Sequence, residues 1–111
     1  MPRVTAVYLR LGGRRRGAAD QLDDLTRWAQ AHHGPVSWYR DHFVGSAGER
    51  PAFARLTRDI EARRVARVVV WRLDRLGLPP GAMTAWFATL GRKGVALVSL
   101  KDRWELADSV G

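Results

Sequence analysis

Residues 67–77 read Arg-Val-Val-Val-Trp-Arg-Leu-Asp-Arg-Leu-Gly, and the rest of the fold can be predicted outward from them. The three consecutive valines are typical of a strand that is buried on both faces of a parallel sheet. The charged pair Asp74 and Arg75 follows that strand. Ligands of open α/β sheets bind just beyond the carboxyl ends of the strands, so this pair is a candidate for a functional site. A surface ion pair in a strand-to-helix loop is the alternative interpretation.

Three further apolar runs accompany this strand, and the segments between the runs have helical spacing. We predict strands near residues 3–9, 36–41, 67–73 and 95–100, joined by helical segments. This alternation predicts an α/β fold: a three-layer domain with a mainly parallel, four-stranded sheet and helices on both faces. Residues 101–111 are polar, and we expect them to form a loop or a frayed tail.

Length and composition exclude several classes of protein. At 111 residues the chain forms one domain that is large enough for a real core, with little room for a second domain. It contains no cysteine, which excludes disulfides and thiolate metal sites. It has neither an apolar signal segment nor an apolar run long enough to span a bilayer, so we expect a cytoplasmic protein that does not enter the membrane.

The charge of the chain indicates a polyanionic partner. The net charge is +8, and arginine supplies most of the cations. The forked guanidinium group of arginine pairs bidentately with phosphate, and the arginines cluster in residues 1–16 and 51–75. An arginine-rich proteome would explain the preference over lysine but not the clustering. The candidates for contacts with the phosphates of such a partner are Arg14, Arg15, Arg16 and Arg72.

Several short motifs occur in a diagnostic order. They are Tyr8-Leu9-Arg10, Gln21, Asp41 before Gly45, Arg50-Pro51, Val-Trp-Arg-Leu-Asp-Arg-Leu-Gly at 70–77, and Gly-Val-Ala-Leu-Val-Ser-Leu at 94–100. Together they resemble the catalytic domain of the serine recombinases, the resolvase/invertase family. The resemblance covers nearly the whole chain and implies the resolvase-type α/β fold.

The resemblance also implies a chemistry and a set of roles. In that family a serine just after the first strand attacks a DNA phosphodiester and forms a phosphoserine link, without a metal or any other cofactor. Arginines neutralise the charge of the transition state. The resemblance implies that Arg10, Arg50 and Arg75 contact phosphate and that Asp74 orients them or assists proton transfer. The supporting residues of the pocket would be Tyr8, Gln21, Asp41, Gly45 and Ser46.

The sequence departs from the family pattern at the position of the nucleophile. The family motif Tyr-x-Arg-x-Ser places the serine two residues after the arginine, where this chain has Gly12. Val44 replaces the serine of the second loop, and Leu78 replaces the second arginine of Asp-Arg-Leu-Gly-Arg. Family members also continue into a long dimerisation helix and a separate DNA-binding domain. We therefore expect residues 1–111 to form a recombinase-like catalytic domain without such a domain.

Three functional hypotheses remain open. The first is a catalytically degenerate recombinase domain that contacts DNA or regulates recombination, as a homodimer or as a heterodimer with an active recombinase. The second is an active enzyme with a displaced nucleophile, for which Ser46 is the nearest candidate. The third is a protein-interaction module that has retained only the fold.

Overall fold

A computed structural model describes residues 3–11, 18–42, 50–102 and 104–106 of the chain. Three α-helices alternate with the strands of one sheet. In chain order the elements are β1 (Val4–Leu11), α1 (Ala18–Ala31), β2 (Val36–His42), α2 (Pro51–Glu61), β3 (Val65–Val70), a single 3-10 turn (Leu73–Leu76), α3 (Pro80–Arg92), β4 (Ala96–Ser99) and β5 (Trp104–Leu106). None of the helices in the described ranges is long and apolar enough to cross a bilayer.

The sheet has the strand order β2-β1-β3-β4-β5, and its first four strands are parallel. This confirms the prediction of a mainly parallel α/β domain with four principal strands and three helices. The third strand begins at Val65 and ends at Val70, earlier than the predicted range of 67–73, because the 3-10 turn begins at Leu73.

The expectation of a loop or frayed tail after residue 100 was wrong for Trp104–Leu106. These three residues form β5, which pairs antiparallel with β4 through Leu97 and Leu106 and through Ser99 and Trp104. A tight turn after β4 reverses the chain and brings the new strand onto an otherwise open sheet edge. The strand is so short that its alternation of apolar and charged residues does not stand out in the sequence.

The central strands are buried on both faces, which explains their unbroken apolar runs. Val68 and Val70 pack with helices α2 and α3 in one core cluster, whereas Val69 packs with helix α1 in another. Strand β1 alternates in the same way, with Tyr8 in the first cluster and Leu9 in the second. Each fully buried side chain of this size contributes about 1.5–3 kcal/mol relative to an exposed one. The domain is thus held by two cores, one on each face of a single sheet.

Candidate phosphate-binding site

The carboxyl ends of the parallel strands carry a hydrogen-bonded chain of three side chains. Tyr8 of β1 donates its hydroxyl to Oδ2 of Asp41, at the end of β2, over 2.7 Å. Arg50 donates from Nη2 to the same Tyr8 hydroxyl oxygen over 3.0 Å. Tyr8 and Asp41 are each only 2% exposed. The buried tyrosine and aspartate therefore fix one edge of the Arg50 guanidinium group.

Asp41 also holds the start of helix α2. Its Oδ1 accepts the backbone N–H of Ala52 at 2.8 Å, and its Oδ2 accepts the N–H of Phe53 at 2.9 Å. Arg50 occupies the N-cap position but makes no capping bond with its own side chain. A carboxylate at a helix N-terminus satisfies free N–H groups and is favoured by the helix dipole. Asp41 thus sets the position of the backbone from which Arg50 projects.

The guanidinium group of Arg50 lies against two aromatic rings. Its Cζ is 4.5 Å from the ring centroid of Phe53 and 5.7 Å from that of Tyr8. Such cation–π contacts stabilise a cation without neutralising it. The arrangement therefore keeps a positive charge at this edge of the sheet.

Arg10 converges on the same place from the end of β1. Gly77 adopts a left-handed conformation with φ +66, and a Cβ atom built on it would lie 2.5 Å from Nη1 of Arg10 and 4.0 Å from Nη1 of Arg50. The two guanidinium groups therefore lie against one glycine of the loop that follows β3. The left-handed conformation favours glycine at position 77, and a Cβ there would also displace the end of the flexible Arg10 side chain.

The other residues of the β3 loop are placed differently. Asp74 forms an ion pair of 3.1 Å with Arg72, and the two side chains are 61% and 43% exposed. Asp74 is therefore in a surface ion pair, but its partner is Arg72 and not the Arg75 of the pair considered in the sequence. Arg75 lies in the 3-10 turn, where the neighbouring Leu76 is buried. Leu78, at the position of the family's second arginine, packs against the core.

Sequence reasoning missed the residues that anchor this loop. Asp102 accepts the hydroxyl of Ser99 at 2.5 Å and the backbone N–H of Leu73 at 3.0 Å. The Ser99 bond first, and then the Leu73 bond and the nearby Arg72 charge, hold the pKa of Asp102 below its ordinary value. A hydroxyl at the end of a buried strand, with an acid three residues later, was the available signal.

Tyr8 is a donor rather than a base in this site. Burial raises its pKa to about 12; the hydrogen bond to Asp41 raises it as well, while the Arg50 bond opposes the shift. The phenol therefore stays protonated near neutral pH and keeps donating to Asp41. Its role in this geometry is to support Arg50.

The remaining predicted site residues divide into two groups. Gln21 is buried, with 4% exposure, in the first turn of α1, which also begins at this edge of the sheet. The others lie outside the described residues: Gly12, Arg14, Arg15, Arg16, Gly45 and Ser46. Within the described ranges, no group of three or more histidine, aspartate or glutamate side chains could hold a metal ion. The assembled part of the site is cationic and suits an anion.

Comparisons with known proteins identify the family. Residues 5–111 match the family described as the resolvase N-terminal domain. The chain belongs to this family. The crystal structure of the N-terminal catalytic domain of TP901-1 integrase is similar to this resolvase-type domain, with a TM-score of 0.74 and 30% sequence identity over 93% of this chain and 81% of that one. The resemblance to serine recombinases is thereby confirmed.

Two more distant structures share the resolvase-type fold. A resolvase family site-specific recombinase from Streptococcus pneumoniae has a TM-score of 0.72 and 18% identity, over 93% of this chain and 75% of that one. A serine recombinase from Sulfolobus solfataricus has a TM-score of 0.68 and 21% identity, over 88% of this chain and 68% of that one. The fold therefore persists at identities where individual side chains have largely diverged.

Proposed function

We propose that this resolvase-family domain binds the phosphate backbone of DNA at the carboxyl edge of its sheet but does not cut the strand. Family membership supports a role in DNA recombination. The proposal adds that the catalytic step has been lost while the phosphate contacts remain. In this role the domain acts beside DNA as a regulatory partner, either as a homodimer or together with an active recombinase.

The convergence of Arg10 and Arg50 on Gly77 carries the proposal. Both guanidinium groups lie within 4.0 Å of the position that a Cβ on Gly77 would occupy, and the buried Tyr8–Asp41 pair positions Arg50 through the Tyr8 hydroxyl. Two preorganised cations at one point form a binding site for a phosphate group. The same arrangement would stabilise the charge that develops during phosphoryl transfer.

The sequence supports the loss of strand cleavage. The family nucleophile is a serine hydroxyl, and the matching position in this chain is Gly12, which has no side chain. Without a nucleophile no phosphoserine bond can form. Leu78 stands where the family has a further arginine, so the transition state would also meet less positive charge. Binding of the ground-state phosphate needs neither residue.

The displaced-nucleophile alternative rests on Ser46. This serine follows Gly45 in the loop between β2 and α2, the same loop that ends at Arg50. In-line attack requires placement to within about an ångström of the phosphorus trajectory. Glycines stand at positions 45 and 48 on either side of this serine, and glycine raises the entropy cost of fixing one backbone geometry, so we favour the non-cleaving domain.

The first test measures affinity for short duplex DNA across a salt series. The variants are Arg10→Ala and Arg50→Ala, with Arg27→Ala as the matched control, because Arg27 is an exposed arginine on α1 that pairs with Asp24. We expect each site variant to weaken binding. We also expect the slope of log affinity against log salt concentration to become shallower by about one, because one fewer counterion is released. Equal losses of DNA affinity in all three variants would show that binding depends on the overall surface charge and not on this site.

The second test examines cleavage. The wild type and Ser46→Ala are incubated with a recombination-site duplex that carries a nick or a phosphorothiolate trap, and covalent protein–DNA adducts are separated on denaturing gels. We expect no adduct with either protein. An adduct with the wild type that disappears in Ser46→Ala would replace this proposal by the displaced-nucleophile enzyme.

A further inference from the structure

The amino ends of the parallel strands form a second edge, opposite the candidate phosphate site. The segments that precede β1, β3 and β4 lie side by side there. The backbone N–H of Val4 donates to the carbonyl of Arg64 at 2.9 Å, and Nη1 of Arg3 donates to the carbonyl of Lys93 at 3.5 Å. Arg63 and Arg92 flank these contact points in sequence. We call this surface the amino edge; its cations are Arg3, Arg63, Arg64, Arg92 and Lys93.

Positive charge at the amino edge exceeds the negative charge beside it. The two acids at the end of α2 take part in long ion pairs, Asp59 with Arg64 at 3.7 Å and Glu61 with Lys93 at 3.5 Å. Arg3, Arg63 and Arg92 are exposed and form no ion pair within the described ranges. The amino edge therefore presents uncompensated arginine charge to the solvent.

Arg63 occupies a backbone conformation that ordinarily favours glycine. Its φ is 60, which makes it the sole non-glycine residue with a positive φ in the described part of the chain. It ends helix α2 in a Schellman arrangement, in which Arg63 N–H donates to the Ile60 carbonyl at 3.0 Å and Arg64 N–H to the Asp59 carbonyl at 2.9 Å. Glycine is the usual residue at this position because a Cβ is disfavoured there.

Helix α3 provides an internal comparison. It ends in the same arrangement, with Gly94 N–H bonded to the Gly91 carbonyl at 3.2 Å and Val95 N–H to the Leu90 carbonyl at 2.9 Å. Gly94 has φ 66, the conformation that Arg63 adopts at the end of α2. One helix of the domain thus uses the favoured residue and the other uses an arginine. An unfavourable residue at an exposed position points to a role for its side chain.

We propose that the amino edge is a second surface for the DNA phosphate backbone, separate from the carboxyl-edge site. The exposed residues that precede β1, β3 and β4 are arginines and small residues together with one acid: Arg3, Glu61, Ala62, Arg63, Arg64, Gly91 and Arg92. A protein partner would need apolar or aromatic anchors at the centre of its interface. Contacts with the DNA backbone need only well-spaced cations, which is what this edge supplies.

Two phosphate-binding edges allow one domain to hold two duplexes. The strands run from the amino edge to the carboxyl edge, and an eight-residue strand such as β1 is about 26 Å long. The two surfaces therefore lie at opposite ends of the strands and face away from each other. A domain with this arrangement brings two DNA segments together without cutting either of them.

The key variant combines Arg3→Ala, Arg63→Gly and Arg92→Ala, and it is made both in the wild type and in an Arg10→Ala/Arg50→Ala background. The second background removes the proposed carboxyl-edge site, so the amino edge is measured even if that site binds nothing. In each background we expect the salt dependence of duplex binding to become shallower by about 0.9 for each arginine removed. Arg27→Ala, which removes one arginine, is the control, and its change in salt dependence is compared with the change per arginine in the amino-edge variant. Arg63→Gly should leave the thermal midpoint unchanged or raise it, which separates lost binding from lost folding.

A bridging assay completes the test. A labelled duplex is recovered on beads that carry a second, unlabelled duplex, with the protein as the sole link. We expect the wild type and Arg27→Ala to bridge, and the amino-edge variant to lose bridging while it still binds one duplex. Bridging that persists in the amino-edge variant would overturn the proposal, and so would a salt dependence that changes no more per arginine removed than in Arg27→Ala. Either result would point to an acidic protein as the partner of this edge.

Discussion

Tyr8 and Asp41 lie on neighbouring parallel strands and share a buried hydrogen bond of 2.7 Å. The aspartate also caps helix α2, and the tyrosine accepts a hydrogen bond from Arg50. One pair of side chains therefore links the sheet, the start of a helix and a cation of the site. Loss of either partner should affect the stability of the fold and the position of Arg50 together.

The first prediction concerns Asp41→Asn. The amide replaces one acceptor oxygen by a donor nitrogen, so at least one of the bonds from Tyr8, Ala52 and Phe53 is lost in a buried place. We expect the free energy of unfolding to fall by about 1–3 kcal/mol, measured by urea denaturation. Asp23→Asn, on the exposed face of α1, is the control and should change stability by less than about 0.5 kcal/mol. Equal effects of the two changes would contradict the capping role.

The second prediction concerns Gly77→Ala. The new Cβ would lie 2.5 Å from Nη1 of Arg10, and the backbone would keep a φ of +66 that disfavours side chains. We expect a loss of about 1–2 kcal/mol of stability and a DNA affinity close to that of Arg10→Ala. Gly81→Ala is the matched control, since a Cβ there meets nothing within 4 Å and lies in helix α3. That control should be neutral or stabilising.

The third prediction concerns the anchor of the β3 loop. Asp102→Ala removes the acceptor for Leu73 N–H and Ser99 hydroxyl, so the amide of Leu73 should exchange with solvent hydrogen faster while the amides of β3 keep their protection. Lys101→Ala is the control, because Lys101 pairs with Asp24 on the other side of the same turn. An unchanged Leu73 exchange rate in Asp102→Ala would show that the loop is held by other contacts.

The fourth prediction concerns pH. Burial raises the pKa of both tyrosines to about 12: the Asp41 bond adds to the shift of Tyr8, and the 2.6 Å bond to Asp59 adds to that of Tyr39. A raised pKa in the folded state means that folding favours the protonated phenol. The corresponding stability is complete below the ordinary pKa of 10.0 and is lost as the pH rises toward about 12.

Urea denaturation between pH 8 and 12 tests this dependence. Tyr8→Phe and Tyr39→Phe should each lower stability at neutral pH, because they leave a carboxylate with one fewer donor. Each should also flatten the alkaline part of the curve. If the variant that combines Tyr8→Phe and Tyr39→Phe still loses stability steeply at alkaline pH, other groups are responsible for the loss.

Much of the fold could be predicted because the pattern that sets it is local. Val68, Val69 and Val70 predict a strand buried on both faces, and helix-length segments between such strands favour parallel pairing. Strand β5 was not predicted, because a three-residue strand carries almost no periodic signal and depends on the open edge of β4.

The site was only partly predictable, because its contacts join distant parts of the chain. Family motifs single out Arg10 and Arg50, yet nothing local shows that Asp41 caps a helix eleven residues later. The partner of Asp74 is Arg72, two residues away, and exposed ion pairs of this kind depend on backbone direction rather than on composition. The identities of site residues can therefore be proposed from the sequence. Their hydrogen-bond and ion-pair partners can be identified only in the folded chain.

The last prediction concerns restoration of cleavage. If the domain has lost only its nucleophile and part of its cationic pocket, Gly12→Ser should return a hydroxyl to the place where the family has one, and Leu78→Arg should return positive charge beside the transition state. Leu78 packs against the core, so the arginine must extend from a half-buried position, and Gly12→Ser alone is the cleaner change.

We expect a trace of covalent adduct on a trapped substrate with the double variant, less with Gly12→Ser, and none with the wild type. Each protein is also made with Ser46→Ala, which should leave these yields unchanged because the adduct forms on residue 12. Peptide mapping of the trapped product identifies the attached residue directly, and attachment at residue 46 in any variant would show that the second loop, not the first, supplies the nucleophile.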